Sequence, residues 1–380
     1  MISICIVQLS IIGLCHFVCF SMFSLFEPFV WYFPFPNQKY CLFCLLGLIH
    51  DTSPSWKDVE VFGEEEVLDL KLLALASRAP STISNYRRLV SRWSSFARSK
   101  GLSDVPASIS GLALYFNFLR KSTSSKSILE SSKAAIAWVH KVSGYSNPFS
   151  NEWLSNIIEG AIRLTAGPSV SKKPVSPDII RSICADTDFT NVKQLRATCL
   201  CVLLYSGFFR INELLSLKAS DFTFFESYLS INISRSKTDQ YNKGNDVIIS
   251  SSGLNSCPVS ITRKYLYLSC IDASSDIFLF RPLIYKGQGK YILSKVNKSI
   301  SYSTARSIVL SSIKPHVGDD ELSLYGTHSF RRGGATEASN NSVDQRLIMS
   351  HGRWASSKSK DLYIEDDVQK KLSVSSSLGL

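Results

Sequence analysis

The stretch Gly167-Pro-Ser-Val-Ser-Lys-Lys-Pro-Val-Ser-Pro177 places three prolines and two lysines within eleven residues. Proline lacks the N–H and its ring clashes with the preceding turn, so neither a helix nor a central strand runs through this segment. It reads as an exposed linker. With 380 residues in all, the chain on each side is long enough to bury its own core.

The two sides have different rhythms. From about residue 67 to residue 166 the apolar residues recur at helical spacing. In Ser81–Lys100, Ile83, Tyr86, Val90, Trp93 and Ala97 form one face, while Arg87, Arg88, Arg92, Arg98 and Lys100 add positive charge. Further helices are expected near Ile109–Leu119, Lys126–Val142 and Glu152–Thr165. This half reads as a helical bundle, with Trp93 and Trp138 in its core and residues 51–66 as a loose acidic lead-in.

After the linker, Asp178–Asp186 begins a new helical region and Val192–Ser206 is apolar all round, as a buried helix is. Tyr228–Ser234 alternates like a strand and Asp246–Ser250 supplies a second, joined through the polar stretch Arg235–Asn245 as a hairpin. Helical spacing resumes near Val259–Leu268, Ser303–Ile313 and His328–Asn340, and the serine-rich residues 373–380 are expected to be disordered. The fold class is therefore mainly α with a small β-sheet.

The formal net charge is +11, and the first fifty residues contribute only Lys39 and Glu27 to it. The positive excess thus belongs to the remainder, which points to a polyanionic partner, nucleic acid first. Residues 1–50 differ in kind: Met1–Phe26 has no charged residue, and five of the ten cysteines fall in this segment. Its two readings are a membrane anchor, for which no basic flank sets an orientation, and a translated upstream sequence foreign to the functional protein; the second is favoured, because everything downstream reads as a soluble protein that acts on nucleic acid. Cys41-Leu-Phe-Cys44 has no second pair to complete a metal site. Cys184, Cys199, Cys201, Cys257 and Cys270 read as reduced, partly buried thiols.

Chemistry concentrates in four places. Thr327-His-Ser-Phe-Arg-Arg-Gly-Gly-Ala-Thr336 opens a helix, with Thr327 as the expected N-cap and His328 and Arg331 on one face, an arrangement suited to a phosphate. Gly333 and Gly334 would each cost about 1 kcal/mol inside a helix, so something is expected to pack closely there. Arg210 and Glu213 lie three apart just after the Gly207 turn, so the carboxylate either fixes the arginine's orientation or pairs with another nearby cation. Ser236-Lys-Thr-Asp-Gln240 puts Lys237 on the hairpin, and His351-Gly-Arg-Trp354 precedes Tyr363 by a short helical interval.

In this order, these residues resemble the tyrosine recombinases, the family of phage integrases and of the Xer and Cre recombinases. The resemblance spans roughly residues 67–370, and its wording is closest to recombinases of DIRS- and Crypton-type mobile elements. It implies a core-binding, SAM-like helical domain over 67–166 and a mixed α+β catalytic domain over 178–372. It also implies double-stranded DNA as partner and a tetramer assembled on it, with no metal or cofactor. Location follows the DNA: the nucleus of a eukaryote, or the cytoplasm and nucleoid of a bacterium, with a membrane relevant only if the first fifty residues are part of the working protein.

The chemistry asks for these residue types. A phosphodiester anion repels nucleophiles, so its charge must be neutralised and its geometry fixed. Arg210 and Arg331 suit that task because guanidinium grips two oxygens at once. Tyr363 would attack phosphorus, leaving a 3′-phosphotyrosine and a 5′ hydroxyl; Lys237 would protonate the leaving oxygen, and His328 would assist proton transfer or hold the phosphate. Where many members have histidine nine residues before the tyrosine, this chain has Trp354, whose indole can only donate. His351 is expected to be structural, Arg332 a DNA-backbone or surface charge, and Arg87, Arg88 and Arg92 DNA contacts. Tyr241 and Tyr325 are rival tyrosines without a Gly-Arg-Trp segment in front of them. Two other functions use similar parts: a type IB topoisomerase that relaxes DNA, and a decayed or domesticated element copy that only binds it.

Overall fold

The structure, a computed structural model, describes residues 47–50, 53–165, 167, 171–233 and 245–379. Residues 1–46 of the hydrophobic extension, together with Lys237 and Tyr241, lie outside the described residues. No helix among the described residues is long and apolar enough to cross a membrane. The chain divides into two compact units, Met1–Pro168 and Ser169–Leu380.

The first unit is helical: α1 (Pro54–Glu60), α2 (Glu64–Ala76), α3 (Pro80–Ser99), α4 (Ile109–Ser122), α5 (Lys126–Val142) and α6 (Glu152–Thr165). The face of α3 set by Ile83, Val90, Trp93 and Ala97 is buried, and α3 packs on α5 while α4 packs on α6. Trp93 and Trp138 are core residues, and the Trp93 indole N–H is satisfied by the Asp104 carbonyl at 2.8 Å. The expected loose lead-in is instead ordered as α1 and the start of α2. Trp56 explains why: it is buried, and its indole donates to the Val142 carbonyl at 3.0 Å, anchoring α1 to α5.

The second unit begins with α7 (Pro177–Ala185), then α8 (Val192–Ser206) and the short α9 (Ile211–Ser216). Strands β1 (Phe222–Phe224), β2 (Tyr228–Ile233) and β3 (Asn245–Ser250) form an antiparallel sheet in sequence order, with Leu229 opposite Ile249 and Ile231 opposite Val247 on the buried face. There follow α10 (Pro258–Leu268), a hairpin of β4 (Leu283–Tyr285) and β5 (Tyr291–Leu293), and α11 (Tyr302–Ile313). The unit ends with α12 (Thr327–Asn340), α13 (Gln345–Gly352), α14 (Ser357–Asp361) and α15 (Val368–Ser376). Helix α8 is the hub, packed against α10, α11 and α12, which accounts for its apolar character on every side. Cys184, Cys199, Cys201 and Cys257 are buried free thiols, and Cys270 is an exposed one.

Three local expectations need correction. The second half of the linker is not an exposed tether: Val175 is fully buried, and the chain there runs alongside the start of α12, with Lys173 N donating to Leu324 O at 2.9 Å and Val175 N to Ser329 O at 3.0 Å. Gly326, not Thr327, is the N-cap of α12, and the Ser329 hydroxyl accepts from its N–H at 3.0 Å. The tail expected to be disordered continues a helix as far as Ser376, because Asp367 caps α15 by accepting from Lys370 N at 2.7 Å.

Gly333 and Gly334 now have reasons. A Cβ on Gly333 would lie 2.0 Å from the Val175 carbonyl oxygen, and one on Gly334 would lie 2.3 Å from that of Tyr205. Helix α12 is thus pressed backbone to backbone against both the linker strand and α8, which no other residue type permits. Gly333→Ala is therefore expected to lower unfolding free energy by about 1–3 kcal/mol through overpacking. Gly160→Ala, in α6 with nothing within 4 Å of a new Cβ, should raise it by about 1 kcal/mol. Urea denaturation of the two variants beside the parent chain measures both signs.

Candidate active site

The turn Gly207-Phe208-Phe209 ends α8 and throws Arg210 onto the start of α9. Phe208 takes a left-handed backbone (φ 47°), and a Cβ on Gly207 would collide with the Phe209 ring at 2.1 Å. Arg210 caps α9, and Glu213, one turn in, answers it twice. One carboxylate oxygen accepts from Arg210 Nη1 at 2.5 Å, the other from the Arg210 backbone N–H at 2.9 Å. The Arg210 side chain keeps 19% of its surface exposed, whereas Glu213 keeps 5%.

Arg331 comes from the second turn of α12 and is fully buried. Its Nη1 donates to the Phe208 carbonyl and its Nη2 to the Gly352 carbonyl, and Nη1 lies 3.9 Å from Glu213. The guanidinium faces the Trp354 ring at 4.4 Å and the Tyr363 ring at 5.2 Å. Both terminal nitrogens of Arg331 are engaged with backbone, because the turn after α8 and the end of α13 converge on it, whereas the Arg210 guanidinium is partly exposed. Arg331 Nε and Trp354 Nε1 have no acceptor among the described residues.

Tyr363 follows α14 and stands half-buried, its hydroxyl 3.4 Å from His328 Nδ1. Its ring lies 5.3 Å from the Trp354 ring. The segment is pinned to α12 by Thr336, whose hydroxyl donates to Tyr363 O at 3.2 Å and accepts from Glu365 N at 3.1 Å. The structure therefore gathers Arg210, Glu213, His328, Arg331, Trp354 and Tyr363 at one place. Tyr325 is buried elsewhere in the unit's core, and Lys237 is outside the described residues.

His351 is inward-facing: its Nε2–H donates to the Ser206 carbonyl at 2.8 Å and its ring meets Phe208 edge-on. Burial pushes its pKa down, with the nearby Arg353 and Arg331 acting in the same sense, so the ring is neutral at physiological pH. Arg332 is not a free surface charge. It pairs with Glu365 at 3.3 Å and with the Ser171 hydroxyl, leaving 16% of its side chain exposed. Its neighbouring position on α12 aims it at the tail and linker rather than outward. In the first unit, Arg88 bonds Asn85 at 3.0 Å and Arg92 reaches Ser122 at 3.1 Å across to α4, while Arg87 is partly buried.

Two participants escaped the sequence reading. Thr336 gave no signal beyond its place in the α12 stretch. Arg353 was visible inside Gly-Arg-Trp but without an assignment, and it proves to be a third arginine buried around Glu213, 3.1 Å from its carboxylate. Burial alone would raise the Glu213 pKa, but Arg353, followed by the backbone and side chain of Arg210, overrides it and holds the carboxyl below its usual range. Burial first, and then Arg210, bring the Arg331 guanidinium down to about 9, still charged at neutral pH.

The chain belongs to the phage integrase family, the tyrosine recombinases, whose family model matches residues 176–370. It is 27% identical over 294 residues to an integrase/recombinase xerD homolog of Selenomonas ruminantium, covering 76% of this chain and 82% of that one. Its fold is similar to that of the XerH site-specific recombinase in a post-cleavage complex with difH substrate (TM-score 0.52, 16% identity, 83% of each chain covered). It is also similar to that of the Tn1549 transposon integrase in complex with transposon right end DNA (TM-score 0.51, 12% identity, 82% of this chain and 99% of the other). The protein is accordingly a DNA-binding enzyme that cleaves and rejoins DNA.

The pKa of Glu213 fixes a pH dependence. A carboxyl depressed in the folded state stabilises the fold above its unfolded value, roughly 4.3, and that contribution disappears as pH falls through the lower folded value. Glu213→Gln should be less stable at pH 7, by about 3–5 kcal/mol, because it leaves guanidiniums without their buried counter-charge. The gap to the parent should narrow below about pH 4.3. Urea midpoints between neutral and acid pH test both parts.

Proposed function

We propose that this protein is the recombinase of a mobile element and works through a covalent 3′-phosphotyrosine at Tyr363. The observation that supports it most is the Tyr363 hydroxyl standing 3.4 Å from His328 Nδ1, directly beside the stacked Trp354 and Arg331. In this reading Tyr363 Oη attacks the scissile phosphorus while His328 takes the phenolic proton or steadies a phosphate oxygen. The bond to the 5′ oxygen breaks, and Lys237 delivers the proton that oxygen needs. Rejoining runs the same steps backwards with a 5′ hydroxyl from another duplex, so the energy of the broken bond is retained in the tyrosine ester. Arg210, Arg331 and the Trp354 N–H stabilise the negative charge that develops on the non-bridging oxygens. The enzyme acts as a tetramer on its DNA, in the nucleus or nucleoid where that DNA resides.

The mobile-element origin draws support from the likeness in wording between the Ser236–Gln240, His328–Thr336 and Gly352–Ile364 stretches and the DIRS and Crypton enzymes. The Tn1549 transposon integrase adds a parallel on the structural side.

A library of nicked duplexes, randomised around the nick so that the 5′ fragment diffuses away on cleavage, should yield protein–DNA adducts that survive detergent. Sequencing the trapped strands defines the target site. Tyr363→Phe should bind DNA as the parent does and give no adduct. Arg331→Lys keeps the charge but loses the planar fork, and should slow adduct formation by about 10²-fold. An adduct that persists in Tyr363→Phe and maps to Tyr241 or Tyr325 would overturn the assignment. Relaxation of supercoiled plasmid with no preferred sequence would indicate a topoisomerase, and binding without any adduct a copy that has lost its chemistry.

Binding itself should weaken steeply with salt. Each phosphate neutralised by residues such as Arg87, Arg88 and Arg92 contributes about 0.9 to the magnitude of the log–log slope. A titration that returns a flat line rules out this backbone clamp.

A further inference from the structure

We propose that Arg353 is a positioning residue for strand cleavage: from the left-handed end of α13 it divides the two oxygens of Glu213 so that Arg210 is held facing the scissile phosphate. The inference rests on the reading of Arg210 as a phosphate clamp given above.

Three observations carry it. First, Arg353 adopts φ 56°, ψ 42°, a left-handed conformation that is strained for a non-glycine residue. Glycine would end the helix there without that cost, so the side chain compensates for the strain. Second, that side chain is 3% exposed and its donors are directed at three different segments. Nη1 donates to His351 O at 2.7 Å and to Gly207 O at 3.3 Å, and Nη2 to Phe208 O and to Glu213 Oε2, both at 3.1 Å, over the face of Phe209 at 5.0 Å. Third, Glu213 Oε2 is thereby occupied by Arg353 and by the Arg210 backbone N–H, which leaves Oε1 for the Arg210 guanidinium. Without Arg353 the carboxylate is free to rotate both oxygens toward Arg210 or Arg331 and draw a guanidinium away from the substrate.

Charge points the same way. Arg210, Arg331 and Arg353 surround one carboxylate, leaving two positive charges in a largely buried site. Phenolate attack on a phosphodiester produces a five-coordinate phosphorus group bearing two negative charges. The net positive charge of this cluster thus favours the doubly charged transition state over the singly charged ground state, which is the condition for accelerating the chemical step. Removal of Arg353 leaves the cluster with one net positive charge.

The test uses the full chain and the duplex recovered from the trapping library. Arg353→Gly accepts the left-handed backbone freely, so any loss of rate reflects the missing guanidinium and not strain. Single-turnover adduct formation should fall about 10–10²-fold, while the Kd for the same duplex, measured in the Tyr363→Phe background, stays within about 3-fold. Methylguanidinium added to Arg353→Gly should restore part of the rate. Arg353→Lys, which keeps the charge but not the fork, should remain slow. With 15N-arginine labelling, the Arg210 guanidinium should give a resolved, slowly exchanging signal in the parent that is lost in Arg353→Gly. A parental cleavage rate in Arg353→Gly, or an unchanged Arg210 signal, overturns the proposal, as does a loss of rate matched by an equal loss of DNA binding. If Arg353→Gly does not fold, Arg353→Lys decides by the same rate and the same signal. A parent chain that forms no adduct defeats the phosphotyrosine reading instead, and the arginine signal then judges Arg353 alone.

Discussion

A carboxylate buried to the extent of Glu213 is tolerable only with compensation, since an isolated ion in a protein interior costs several kcal/mol after relaxation. Here the compensation comes from three arginines on three separate pieces of chain: the cap of α9, the second turn of α12 and the residue that ends α13. Because the guanidiniums of Arg331 and Arg353 also bind backbone carbonyls of neighbouring segments, the charge cluster is at the same time a set of struts. The Phe208 carbonyl alone accepts from both Arg331 and Arg353. This places the turn before α9, the α12 face and the Gly352–Trp354 segment in one fixed relation, on which the position of every other residue of the site depends.

Steric demand then brings α12 close enough for that cluster to form. Gly333 and Gly334 let the helix touch the linker strand and α8 through bare backbone, and Gly352 leaves room for the Trp354 ring, which a Cβ would meet at 1.9 Å. The tyrosine is held by the same helix: Thr336, about two turns beyond His328, binds both Tyr363 O and Glu365 N. The hydroxyl of Tyr363 therefore stands over its own chain's His328 and Arg331, and the proposed nucleophile and the proposed clamp are positioned by one element.

Much of this was legible before any coordinates. The alternation of Tyr228–Ser234, the apolar run of Val192–Ser206 and the periodicity of Lys126–Val142 follow from the two periods of regular backbone, and the structure has those elements within a residue. The pairing of Arg210 with Glu213 follows from three-residue spacing at a helix start. What stayed hidden depends on contacts between distant segments. Nothing in the local sequence says that Val175 lies beneath α12, that Trp56 turns an acidic lead-in into a helix, or that Arg353 points inward to Glu213 across 140 residues of chain. An arginine beside a tryptophan reads as a surface charge until its left-handed backbone and buried guanidinium are seen together. The same blindness left Arg332 as a DNA-backbone or surface charge without its partner, because Glu365 is thirty-three residues away in sequence.

The disposition of hydrogen-bond donors adds a last step. Both terminal nitrogens of Arg331 are taken by carbonyls, yet its Nε and the Trp354 Nε1 are buried with no acceptor among the described residues. A buried donor without an acceptor is destabilising by about 1–3 kcal/mol. Two such donors belong to a guanidinium and an indole that face each other at 4.4 Å, next to the partly exposed Arg210 and the Tyr363 hydroxyl. Neither indole nor guanidinium can accept a hydrogen bond from the other, so an acceptor from outside the pair is needed to satisfy both, and a phosphate oxygen suits that role. On the proposed reading that oxygen belongs to the phosphate, and the free enzyme holds its donors in place before DNA arrives, so little reorganisation is needed as negative charge develops. On the same reading Trp354 would withhold base chemistry, leave proton transfer to His328, and supply one donor whose direction is set by packing.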